Sequence, residues 1–239
     1  MISKETSKPV SISENEDIDV MSKLTVENPL LWAPNSPNLY TLKTKIVSEN
    51  KIVDEENTRI GIRNIKISED GFYINGKKMF LRGINRHQEY PYIGYAISNN
   101  AQYRDAVKIK EAGFDYVRLS HYPHSNAFMD ACDELGLVVI DAILGWQYYS
   151  DNPEFEAHQY KASRDLIRRD RNHPSVIAWE LSLNESGMTE SFIDSLDLAI
   201  NENNPKLKLK RIEFAKKNTW EARVAEFKSV INAYIGNEK

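Results

Sequence analysis

Residues 116–141 read YVRLSHYPHSNAFMDACDELGLVVID. The run opens with aromatic and β-branched residues, DYVRLSHY (115–122), which predicts a strand. NAFMDACDELG follows, with Phe128, Ala131, Cys132 and Leu135 on one helical stripe and Gly136 as its stop. LVVIDAIL (137–144) is then nearly continuous in apolar residues, as a strand buried on both faces should be. Strand, helix, strand in so short a span predicts a parallel sheet with its helices outside.

The same rhythm extends both ways. Upstream, MFLRGIN (79–85) predicts a buried strand, and SNNAQYRDAVKIKEAGF predicts a capped helix, with Asn and Ser near its start, Tyr103, Ala106, Val107 and Ile109 apolar and Gly113 at its exit. Downstream, NPEFEAHQYKASRDLIRRD carries Asp151 or Asn152 as cap and Pro153 at the first helical position. A fourth strand, PSVIAWELSLNE, closes the series, apolar from Val176 to Leu183. A complete (β/α)₈ barrel needs about 250 residues, and only about 110 lie between Met79 and Glu190. The expected fold is therefore α/β: an incomplete (β/α)₈ (TIM) barrel of about four β-α units, over residues 68–200.

Before the barrel the pattern is all β. LYTLKTKIV alternates Tyr40, Leu42 and Ile46 against Thr41, Lys43 and Lys45, and turn residues cluster at NPLLWAPNSPN and SENK, predicting part of a β-sandwich over 24–67. Asn75-Gly76, between two apolar runs, predicts a hairpin with a type I′ turn. Residues 1–23 read as a polar, acidic arm. After a basic connection, NENNPKLKLKR, Trp220, Val224, Phe227, Ile231 and Tyr234 mark an amphipathic helix within 201–239, placed either to dock on the body or to receive a partner.

Composition sets bounds. A net charge of -4 gives no reason to expect nucleic acid or an anionic membrane as a partner. The N-terminus has no apolar core of the secretory type, no run reaches membrane-span length, and cytoplasmic placement is the default expectation. One cysteine, Cys132, excludes an internal disulfide or a cysteine-based metal site.

The predicted strands all finish in polar groups. Strand one gives Arg82, Asn85 and His87; strand two Arg118, His121 and Tyr122; strand three Asp141; strand four Asn184 and Glu185. Each alone has a bland explanation, since strand-end Arg, Asp and His side chains often just satisfy loop carbonyls. Their shared position is what an active site requires. Glycoside hydrolysis suits the set: a carboxyl emerging from an apolar strand gains a raised pKa by desolvation and can protonate a leaving oxygen, while a second carboxylate works across the bond. Tyr92, Tyr122, Trp146, Tyr148 and Tyr149 are near enough to strand ends to stack on sugar rings.

These stretches resemble glycoside hydrolase family 2, which contains β-galactosidases, β-glucuronidases and β-mannosidases. NPLLWAPNSPNLYTL and IGIRNIKI are similar to the end of the family's immunoglobulin-like domain, and GFYINGKKMFLRGINRHQ, YVRLSHYPHSNAFMDACDELGLVVID and RDRNHPSVIAWELSLNES to its first barrel units in order, over about residues 24–200. The resemblance implies a retaining mechanism on a carbohydrate, with Glu185 as general acid/base and Asn184 contacting the sugar beside it. It implies His87 and His121 as lining of the sugar pocket, with Arg82, Arg118 and Asp141 shaping it. The family's nucleophile is a Glu on a later strand, and Glu202, Glu213, Glu221 and Glu226 all sit in polar or helical context, so little hydrolysis by the chain alone is expected. After Asp141 stands Ala142 and then ILGWQYY, without carboxylate or histidine, so no metal is expected there, and no cofactor. RIEFAKKNTWEARVAEFKSVINAYI resembles the C-terminal helix of two-domain glycosyltransferases, as at a gene junction. A non-catalytic carbohydrate-binding remnant and a rearranged fragment are the competing readings. An open half-barrel also predicts self-association through its unpaired edge.

Overall fold

The computed structural model describes residues 2–144, 150 and 152–180. Asn184, Glu185, Trp146, Tyr148, Tyr149, the expected cap Asp151 and the helix expected over Trp220–Tyr234 lie outside the described residues. Residues 2–31 form no strand or helix. Two short strands, β1 (Trp32–Ala33) and β2 (Ser36–Pro37), then make a tight antiparallel pair. β3 (Tyr40–Ser48) and β4 (Lys51–Ile60) form a long hairpin, and β5 (Ile65–Ser68), β6 (Gly71–Ile74) and β7 (Lys77–Met79) a three-stranded antiparallel sheet. Asn75 and Gly76 both take positive φ (52° and 77°) between β6 and β7, as a type I′ turn demands. The alternation in β3 holds only near its base. Tyr40 and Leu42 are half-buried, whereas Ile46 is exposed along with Val47, Ile52 and Val53 at the hairpin tip.

The second half is a parallel sheet. Its strands β8 (Gly83–Arg86), β9 (Tyr116–Leu119), β10 (Val138–Ala142) and β11 (Val176–Glu180) lie side by side in chain order. Helices α1 (Asn99–Glu111), α2 (Asn126–Leu135) and α3 (Pro153–Asp170) connect them. Each helix start is the one its sequence encodes. Ser98 accepts from the Ala101 amide, Ser125 from Phe128 and Asn152 from Glu154, each satisfying an otherwise orphaned N–H. Gly136 closes α2 in the left-handed region (φ 70°), and an added side chain there would run into the Pro34 backbone. Ala106, Ile109, Val117, Leu119, Phe128, Met129, Ala131, Cys132 and Val139 form one core between sheet and helices. No helix among the described residues is long and apolar enough to cross a membrane.

One predicted strand is corrected. MFLRGIN is not a single buried strand: Met79 ends the hairpin strand β7, Phe80 is exposed, and β8 begins only at Gly83. The chain must turn there from an antiparallel hairpin into a parallel sheet. Gly83 is where the sheet can start, because the Tyr116 carbonyl and ring occupy the space a side chain would fill.

The N-terminal segment packs where the parallel strands begin. Trp32 is fully buried and its Nε1–H donates to the Asp133 carbonyl at the end of α2 (2.8 Å). Arg63 donates to the carbonyls of Pro174 and Val176 at the start of β11, and Arg59 pairs with Asp130 and Glu134 on α2. Lys110 donates to the carbonyls of Pro34 (3.2 Å) and Gly136 (3.0 Å). The motifs NPLLWAPNSPN and IGIRN thus leave the other, C-terminal, ends of the strands for chemistry.

Candidate active site

Strand alternation sorts the side chains. Ile84, Val117, Leu119, Val139 and Trp179 pack into the helix-side core, so Asn85, Arg118, Ile140, Ala142, Ala178 and Glu180 face the other way. Asn85 is in register with Arg118, and Glu180 with Ala142. Across the β10 strand between them, Arg118 Nε donates to Glu180 Oε2 at 2.9 Å while Nη2 donates to Oε1, a two-pronged pair. His121, just past β9, brings Nδ1 to 3.9 Å of Glu180 Oε1. The His87 and His121 rings meet edge to face at 5.9 Å. The Ser120–His121 peptide is cis.

The loops after β8 and β9 are fastened to each other. The Gln88 amide donates to the Tyr122 hydroxyl (2.8 Å), and the Gln88 side chain accepts from the Ser125 amide (2.8 Å). Tyr95 stands edge-on to Tyr122 at 5.6 Å, and Tyr122 lies 6.1 Å from His87. These contacts fix the two histidines side by side at the mouth of the sheet.

Behind them sits a polar cluster in the helix layer. Arg86 is 5% exposed; it donates to Asp105 Oδ2 (2.7 Å), Gln102 Oε1 (2.8 Å) and His124 Nδ1 (3.0 Å), and its guanidinium lies 4.0 Å over the Phe128 ring. Because Arg86 can only donate, His124 Nδ1 accepts and the ring is neutral. Burial, then the charges of Arg86 and His87, push His124 down to about 3. Tyr90 donates to the second Asp105 oxygen (2.6 Å), tying the loop after β8 into the same cluster.

The structure brings His87, His121 and Arg118 together and moves two other predicted residues away. Arg82 directly precedes β8, so it is at the N-terminal end of the strand, exposed, opposite His87. Its place in the expected pocket is corrected, because β8 starts at Gly83 rather than at Met79. Asp141 follows the outward parity of Val139, is fully buried, and faces Asp170 at the end of α3 instead of the mouth. Arg169 holds Asp170 through two bonds (2.7 and 2.5 Å). Burial, then the adjacent Asp170 carboxyl, raises Asp141 to about 8. The folded protein therefore holds a proton that the unfolded chain releases above about pH 4, and its contribution to stability fades as pH rises toward 8. Asp141→Asn replaces that proton by an amide donor. Its stability relative to wild type is expected to improve from pH 5 to pH 7.5, read by urea denaturation; an equal difference at both pH values would contradict a protonated Asp141.

Strand-end reading passed over Glu180, which pairs with Arg118 at the candidate site, and over Arg86 and His124 in the buried cluster behind it. Counting parity from the core residues Ile84 and Val117 places Arg86 on the helix side of the sheet and Arg118 on the opposite face. Asp130, Asp133 and His173 also cluster with ligand atoms within 4.8 Å, but at the opposite end of the sheet. They are held by protein partners: Arg59 pairs with Asp130, and His173 Nδ1 is 2.6 Å from Asp133 Oδ2. Burial opposes charge on His173, yet Asp133 and Asp170 raise its pKa on balance. RDRNHP is thus a structural junction between α3 and β11.

Comparison with known proteins matches residues 65–230 to the family described as "Glycosyl hydrolases family 2, TIM barrel domain" and residues 2–63 to "Glycosyl hydrolases family 2". Both matches run past the 24–200 span of the sequence resemblance, into the polar arm and across most of the tail compared above to glycosyltransferases. The chain is 42% identical over 170 residues to a β-galactosidase of Thermoanaerobacter pseudethanolicus, covering 70% of this chain and 23% of that protein. It is 43% identical over 176 residues to a β-galactosidase of Thermoanaerobacterium thermosulfurigenes, covering 73% and 24%. Among solved structures, an FMN-binding β-glucuronidase from Facaelibacterium prausnitzii L2-6 superposes with a TM-score of 0.70 at 35% identity, covering 75% of this chain and 29% of that one. A β-glycosidase from Bacteroides vulgatus gives 0.69 at 32% identity, covering 75% and 24%. The chain spans about a quarter of the length of the curated β-galactosidases it matches.

Proposed function

This chain belongs to glycoside hydrolase family 2, and on that premise we propose that it carries the acid/base side of a retaining site for β-linked pyranosides. The observation that carries the reading is the convergence of His87, His121, Tyr122, Arg118 and Glu180 at the C-terminal ends of the parallel strands. Asn184 and Glu185 follow Glu180 by four and five residues.

In this reading Glu185 gives a proton to the departing glycosidic oxygen and later takes one from water. Asn184 hydrogen-bonds a sugar hydroxyl, and His87 and His121 line the ring's binding place. A retaining reaction also requires a nucleophilic carboxylate about 5–5.5 Å from the acid/base, a role for which Glu202, Glu213, Glu221 and Glu226 offer no strand-end candidate. Residues 24–67 then serve as the sandwich portion that braces the barrel portion, 68–200, from the strand-start side.

Binding tests the pocket. Titration with phenyl β-D-galactoside, followed by tryptophan fluorescence, is expected to saturate, and His121→Ala to weaken it about ten-fold or more. No saturable response from the wild-type chain would overturn the proposal. Where hydrolysis is measurable, Glu185→Gln is expected to slow phenyl β-D-galactoside far more than its 2,4-dinitrophenyl counterpart, whose leaving group needs no proton. Equal slowing of the two would remove Glu185 from the proton-donor role.

A further inference from the structure

We infer that Glu180 is a specificity-determining residue that biases the site toward uncharged pyranosides and against sugar carboxylates, an inference that rests on the proposed function above. Glu180 and Arg118 stand on the open face of the sheet, on strands flanking β10, where the candidate pocket is built. The guanidinium engages Glu180 through Nε (2.9 Å) and Nη2, the edge geometry with which an arginine grips a carboxylate. The Arg118 side chain is only 24% exposed and that of Glu180 12%, so water screens the pair weakly. His121 lies beside the same carboxylate, Nδ1 at 3.9 Å from Oε1.

A uronide brings a carboxylate of its own. To use the same edge of Arg118 it must displace Glu180 and leave that charge half-buried; to sit beside the pair it must accept the repulsion of Glu180 at short range. A neutral hexoside meets neither cost, because its hydroxyls bond to the rims of a pair whose charges already cancel. The curated relatives above are β-galactosidases, while one of the superposed structures is a β-glucuronidase. Family membership thus leaves the choice open, and the Arg118–Glu180 pair addresses it.

The test is a charge series read by equilibrium binding of phenyl β-D-galactoside and phenyl β-D-glucuronide to the chain at pH 7. Wild type is expected to favour the galactoside by about ten-fold or more. Glu180→Gln, which leaves the pair net positive, is expected to shift the ratio about ten-fold toward the glucuronide. Arg118→Gln, net negative, is expected to shift it the other way, and the double variant, neutral again, to return within about three-fold of wild type. Should Glu180→Gln fail to fold, Arg118→Gln and the double variant read the same dependence from the other side. A ratio unmoved by charge, or a wild type that prefers the glucuronide, overturns the inference while leaving the pocket in place. A wild type that binds neither compound overturns the proposed function together with it.

Discussion

Replacing Arg86 by methionine is expected to lower folding stability by about 3–5 kcal/mol, the range for removing one partner from a buried charged network. The guanidinium serves four neighbours at once: Asp105, Gln102, His124 and the Phe128 ring. Methionine fills much of the volume but supplies no donor. Gln102 and His124, each 1% exposed, would keep acceptors facing an apolar side chain, and Asp105 would keep, among the described residues, the Tyr90 hydroxyl. Exchanging a whole buried network for apolar groups is often near neutral, but a single exchange strands its partners, and the stranding dominates. Arg86→Lys retains a charge without the three-way fork, so an intermediate loss is expected. Urea denaturation at neutral pH measures both; a loss under about 1 kcal/mol for the methionine variant would show that the cluster is dispensable. Removing the neighbouring cation should also raise the pKa of His124, visible by imidazole NMR as titration at higher pH than in wild type.

Trp32→Ala is expected to cost a similar amount, about 3–5 kcal/mol, by a different route. The indole is fully buried at the junction of the N-terminal segment and α2, and its removal leaves a cavity. It also withdraws the donor from the Asp133 carbonyl. Trp32→Phe separates the two terms. It keeps most of the packing and loses the N–H, so about 1–2 kcal/mol is expected. Thermal unfolding of both variants decides the matter, and an alanine variant as stable as the phenylalanine one would mean the cavity collapses without cost.

How much was legible follows from how local the physics is. Asn152 caps its helix, Gly136 ends α2 and Asn75-Gly76 makes its turn because each acts within a few residues of itself; Ser125, the cap of α2, acts as locally but was not read from the sequence. MFLRGIN misled because apolar content looks the same in a hairpin strand and a barrel strand. The break at Phe80–Arg82 is set by where Gly83 can approach Tyr116, a contact across more than thirty residues. Asp141 misled for a related reason. A strand-end carboxylate looks exposed in a linear sequence, while its face depends on which side the helices cover.

The sequence by itself determined the parallel β-α architecture, the caps and turns, the family and the polar character of the strand ends. The architecture, caps and turns follow from periodicity and local residue types, and the family from the resemblance of long motifs in order. Only the tertiary structure decided which polar residues meet. Arg118 finds Glu180 across an intervening strand, Arg86 finds His124 between sheet and helices, and Asp141 is turned to Asp170. Such pairs depend on register and facing between strands far apart in the chain, and a side chain's charge environment exists only after that register is set.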